Sequence, residues 1–121
     1  MNDQLLRVKL LAFMSAHRGR EKAITRDDVL FAMQAHDPSL NDRSFRDLYS
    51  TLPICSTASK PYGLYLPTSQ DEVESFLAEY ACHARHDKVT ARREVFHRER
   101  ADLWPARAQQ LTLDMQGGQD V

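Results

Sequence analysis

Residues Asn41 to Glu72 read NDRSFRDLYSTLPICSTASKPYGLYLPTSQDE, and the order of signals in this stretch decides the fold. Leu40 before Asn41 marks a helix start, because a short polar side chain at the N-cap accepts hydrogen bonds from backbone N–H groups that the first turn leaves unpaired. The helix that follows carries Phe45, Leu48 and Leu52 on one face and Arg43, Ser44, Arg46 and Asp47 elsewhere. Pro53 stops it. Ile54-Cys55 and Leu64-Tyr65-Leu66 are short strands joined by a turn-forming run from Ser56 to Gly63. Ser69 and Glu72 form a capping box ahead of a new helical run at Val73. The unit is therefore helix, strand, turn, strand, helix.

Outward from this unit, the chain is helical on both sides. Toward the N-terminus, Leu5, Leu6, Val8, Leu10, Leu11, Phe13 and Met14 are dense enough to predict a central, mostly buried helix that ends between Ser15 and Gly19. A polar loop, His17 to Lys22, follows. Ala23-Ile24 adds a short strand, and Thr25-Arg26-Asp27-Asp28 is a second N-cap with acidic residues placed well for the helix dipole. Val29, Leu30 and Met33 then face the core until the turn His36-Asp37-Pro38-Ser39. Toward the C-terminus, Val73, Phe76, Leu77 and Tyr80 keep helical spacing, which Ala84, Ala91 and Val95 extend to Leu103. Such a helix of about thirty residues rises ~45 Å, more than a small core can cover. Its second half then packs on a partner subunit, or a break near His86-Asp87 folds it back. The expected organisation is a domain over 1–80, a helical extension over 81–104 that dimerises, and a flexible tail over 105–121.

The 121 residues and net charge of −1 suit one small soluble domain. No apolar run approaches the ~20 residues needed to cross a bilayer, and the start lacks a signal-peptide pattern, so a cytoplasmic location without membrane contact is expected. Cys55 and Cys82 are expected to be buried or half-buried thiols. Segment 81–107 holds the basic excess, seven basic against four acidic residues, and His83, His86 and His97 add to it below neutral pH.

Leu52-Pro53-Ile54-Cys55-Ser56, then Tyr62-Gly63-Leu64-Tyr65-Leu66-Pro67, then Asp71-Glu72-Val73 and a helix whose far half is rich in arginine form a pattern over residues 5 to 100. It resembles small winged helix-turn-helix proteins of phages, prophages and plasmids. The resemblance implies a mainly α fold with a β-hairpin wing and a long C-terminal helix. It also implies that the helix before the hairpin enters the major groove of double-stranded DNA while the wing touches the backbone. Carried over by position, Asp42, Arg43, Ser44, Arg46 and Asp47 lie near the groove, and Ser59-Lys60 lies at the wing tip. Asp42 and Asp47 are unhelpful beside phosphates.

Arg43 and Arg46, three apart, share a helical face, and arginine there pairs with guanine O6 and N7 while Ser44 bonds a base edge or phosphate. Arg18, Arg20, Lys22 and Lys60 are candidate phosphate contacts. Tyr62 and Tyr65 lie on the hairpin, Tyr65 between leucines that favour packing. Cys82 and His86 are four apart, a zinc-ligand spacing, but a structural zinc needs four ligands and the second pair is lacking. No catalytic motif is present, so neither an enzyme nor a cofactor is expected.

The competing function lies in the tail. Gln110-Leu111-Thr112-Leu113-Asp114-Met115 resembles the bacterial sliding-clamp-binding motif, with Gln110, Leu111, Leu113 and Met115 at its pocket-filling positions. Met115 and Asp114 depart from it, since the motif ends in phenylalanine or leucine. The expected function is DNA binding in transcriptional control or replication; the alternative is an adaptor that binds host polymerase or clamp.

Overall fold

The computed structural model describes residues 3–58 and 62–104. Among them are five α-helices, α1 (Asp3–Met14), α2 (Arg26–Gln34), α3 (Asp42–Ser50), α4 (Gln70–Ala81) and α5 (His86–Glu99). Three short strands, β1 (Ile24–Thr25), β2 (Cys55–Ser56) and β3 (Gly63–Tyr65), form an antiparallel sheet in the order β1-β3-β2. Ile24 faces Leu64 and Cys55 faces Tyr65 across the ladders. The chain is mainly helical with a small sheet, as expected.

Each helix start is set by local chemistry. Thr25 caps α2 by accepting from the Asp28 N–H, and Ser69 caps α4 by accepting from the Glu72 N–H. At Asn41 the box is closed by Ser44: the Asn41 Oδ1 accepts the Ser44 N–H at 2.9 Å, and the Ser44 Oγ accepts the Asn41 N–H at 3.0 Å. The expected box from Ser69 to Glu72 is half made. The Glu72 carboxylate instead accepts the Thr68 N–H at 2.7 Å and the Arg20 N–H at 2.9 Å. It thereby ties α4 to a 3-10 turn at Arg20–Lys22. Gly19 enters that turn at φ +90°, a backbone conformation that disfavours residues with a Cβ.

Side-chain alternation along the hairpin divides the interior in two. Leu64 and Leu66 point into a cluster with Leu6, Leu10 and Met14 of α1, Val29 and Met33 of α2, and Phe45 of α3. Tyr65 and Cys55 point into a second cluster with Val73, Phe76 and Leu77 of α4, Phe96 of α5, and Leu103 and Trp104.

Two expectations are corrected. α1 is not centrally buried: Leu6, Leu10 and Met14, a stripe four residues apart, are buried and Leu11 and Phe13 are half-buried beside them, while Leu5 and Val8 are exposed on the opposite side. The single helix to Leu103 does not form either. α4 stops at Ala81, a turn at 82–85 reverses the chain, and α5 packs back against α4, which is the folded-back alternative. Of the stripe that called for a partner subunit, Val95 is buried within the chain, Ala84 is half-buried and Ala91 is exposed. The physical reason is that α5 finds its apolar complement in Phe76 and Tyr65 of the same chain.

Candidate nucleic-acid interface

α3 projects its N-terminal half into solvent, with Arg43, Ser44, Arg46 and Asp47 all exposed. Phe45 anchors its inner side in the first cluster and stacks edge-on against Tyr49. Neither Arg43 nor Arg46 forms an ion pair among the described residues. The two therefore stand as free cations on one face. Asp42, in the first turn, is bound by Arg26 of α2 at 3.0 Å, which offsets its charge locally. Asp47 stays exposed on the same helix. Ser44, expected at a base edge, has its hydroxyl engaged in the N-cap.

The cations of the loop after α1 are only partly available. Arg20 reaches Glu79 of α4 at 3.1 Å, which raises its pKa further and ties up its charge. The Arg18 Nε donates to the Ser15 carbonyl at 3.2 Å. Lys22 is exposed and outside every ion pair of the described residues. Tyr62 is exposed on the hairpin and Tyr65 is buried. Lys60, at the expected tip, and Gln110, Leu111, Leu113 and Met115 in the tail lie outside the described residues.

Four arginines of the basic segment are paired with carboxylates. Arg93 pairs with Glu74 at 2.7 Å, Arg85 with Asp87 at 2.7 Å, Arg98 with Glu99 at 3.2 Å and Arg100 with Asp102 at 2.9 Å. Exposed pairs of this kind contribute little to stability, but they cancel the local field that a phosphate would meet. Arg92 is different. It is only 5% exposed, and its guanidinium donates to the carbonyls of Tyr49, Ser50, Leu52 and Ile54. These include the C-terminal carbonyls of α3, which a helix cannot satisfy itself. The Phe76 and Phe96 rings lie 5.3 and 5.4 Å from the guanidinium carbon. Burial lowers the Arg92 pKa from its ordinary value. Arg92 falls four residues before Phe96 and three after Val89, on the apolar face of α5; that position was the sequence signal of an inward-facing arginine.

The cysteines separate by environment. Burial pushes the Cys55 thiol up to about 12, so it stays protonated and unreactive at neutral pH. Cys82 is exposed, contrary to expectation, because it sits at the C-cap of α4 rather than inside a continuing helix. For the same reason Cys82 and His86 lie on either side of the turn and share no helical face. Among the described residues no group of three or more His, Cys, Asp or Glu side chains is placed to hold a metal. No helix among them is long and apolar enough to cross a membrane. Comparison of the chain with family models, curated proteins and solved structures finds no match.

Proposed function

We propose that the chain is a winged helix-turn-helix protein that binds double-stranded DNA, with α3 in the major groove and the β2-β3 hairpin as the wing, and that it acts in transcriptional control or replication. The observation that carries this reading is the outer face of α3, where Arg43 and Arg46 stand exposed without ion pairs while Asp42 is tied to Arg26. The element order, with β1 completing a three-stranded sheet beside the hairpin, supports it. Pairing of Arg93 and Arg98 and burial of Arg92 reduce the charge that α5 can offer. DNA affinity should then be modest.

The test is fluorescence anisotropy on random duplex DNA over a range of salt concentrations, with the wild type and the Arg43→Ala/Arg46→Ala double variant. Losing two phosphate or base contacts should flatten the slope of log affinity against log salt by about 2. Binding that ignores salt, or a double variant indistinguishable from wild type, rejects the reading. A second reading, a protein-docking module, is favoured by Phe31 of α2, which is 79% exposed. Phe31→Ser leaves DNA affinity unchanged if α3 is the working surface, and abolishes capture of host polymerase or clamp if α2 is.

A further inference from the structure

Between α3, the hairpin and the α4-α5 pair lies a cavity of about 420 Å³. That volume is within the ~300–1,000 Å³ of small-molecule sites. Its wall has two chemistries. The first is aromatic: Tyr49 of α3, Tyr62 of the hairpin, and Phe76 and Tyr80 of α4 all line it. The second is cationic. Arg46 lines it with no ion pair among the described residues, and Arg26 lines it with one arm on Asp42. The Arg26 Nε–H is buried and lacks a partner among the described residues, so this guanidinium is an acceptor short. Arg92, also in the wall, adds a buried positive charge held by carbonyls and no carboxylate. Glu79 is the one carboxylate of the described wall, and Arg20 already binds it. The cavity is therefore net positive, with aromatic faces and phenol hydroxyls around it.

We propose that this cavity binds a small aromatic anion, a planar ring bearing a carboxylate or phosphate. The ring stacks among the tyrosines, where aromatic faces offer area and geometry together. The anion meets Arg46 and Arg26, whose forked donors suit two oxygens at once. Neither half of such a ligand satisfies the wall alone: a bare anion leaves the aromatic faces wet, and a neutral ring leaves the arginines unanswered.

The test is an NMR titration of the full chain, without DNA, using salicylate, adenosine 5′-monophosphate, inorganic phosphate and benzyl alcohol as probes. Salicylate or the nucleotide should shift Tyr49, Tyr62, Tyr80 and His83 resonances saturably, with a dissociation constant on the order of 1 mM or tighter. Which of the two binds distinguishes carboxylate from phosphate. Phosphate and benzyl alcohol should bind at least ~10-fold more weakly. Arg46→Gln and Tyr62→Ala alter exposed side chains, and each should weaken the ring anion by ~10-fold with the remaining spectrum unchanged. The proposal is overturned by the absence of saturable shifts with either ring anion at ~10 mM. It is equally overturned by phosphate binding as tightly as the nucleotide, or by affinity indifferent to both substitutions.

Discussion

Arg92 sets a full positive charge inside the protein and holds it with carbonyl oxygens. The guanidinium has five N–H donors in a rigid fork, enough to serve several carbonyls at once. Four carbonyls receive it, from Tyr49, Ser50, Leu52 and Ile54, around the end of α3 where the helix dipole is negative. The arginine thus fixes the angle at which α3 leaves the core, and through it the placement of Arg43 and Arg46. Arg92→Met keeps much of the stem but removes every donor; the Tyr49 and Leu52 carbonyls keep the N–H groups of Leu52 and Ile54, while those of Ser50 and Ile54 lose their arginine. A loss of about 3 kcal/mol is expected by urea unfolding. Arg92→Lys should recover only part of this, because an ammonium cannot fork between the same oxygens. A loss below ~1 kcal/mol for Arg92→Met would show that the carbonyls find other partners.

At the scale of elements, the helix starts carry their own instructions. Ser44→Ala removes one half of the α3 cap and should cost about 1 kcal/mol in unfolding, with the base preference of any DNA site left as in wild type. A changed preference would return Ser44 to the groove. Glu72 works between elements, and its titration reports on the junction of α4 with the Arg20–Lys22 turn. Burial disfavours its charge, but hydrogen bonds from Arg20 and Thr68 outweigh that and hold the carboxyl below the usual range. A depressed folded-state pKa means stability that is present above the ordinary glutamate value of about 4.3 and lost as pH falls through the folded value. Glu72→Gln should therefore be less stable than wild type at pH 7, and the two should converge toward pH 3. A gap independent of pH would assign the effect to packing. The caps at Thr25, Asn41 and Ser69 were legible because each depends on a few neighbours in sequence. The break after Ala81 was not. Ala81-Cys82-His83-Ala84 contains no glycine or proline, and the apolar spacing runs through it without interruption. The reversal is decided by distant groups: Phe96 meeting Phe76 edge-on, and Arg92 meeting the α3 carbonyls. In the candidate site, Arg43 and Arg46 were legible as an exposed pair, while the pairing of Arg93 with Glu74 and of Arg20 with Glu79, and the burial of Arg92 on the α3 carbonyls, depended on which elements touch.

For the whole molecule, the hairpin is a thin partition with a core on each side. Leu64 and Leu66 belong to the core of α1, α2 and α3, whereas Tyr65 and Cys55 belong to that of α4 and α5. Neither core is independent, since a slip of one residue in β3 would exchange their contents. This geometry sets the outcome of truncation. The sequence alone suggested a domain over 1–80 with a helical extension over 81–104; with α5 seated on the hairpin, a chain ending at Ala84 would expose Tyr65, Phe76 and Leu77 and leave the α3 carbonyls without Arg92. A domain of this size is stabilised by only about 5–15 kcal/mol in total. Removing Phe96 as a single side chain, by Phe96→Ala, should already cost about 3–5 kcal/mol. The truncated chain should therefore lose its cooperative thermal transition, while Phe96→Ala should retain one at lower temperature. Calorimetry of both proteins beside the full chain separates the possibilities: a sharp transition in the chain ending at Ala84 would mean that the first core and the hairpin suffice, and that α5 is an appendage rather than the second wall of the fold.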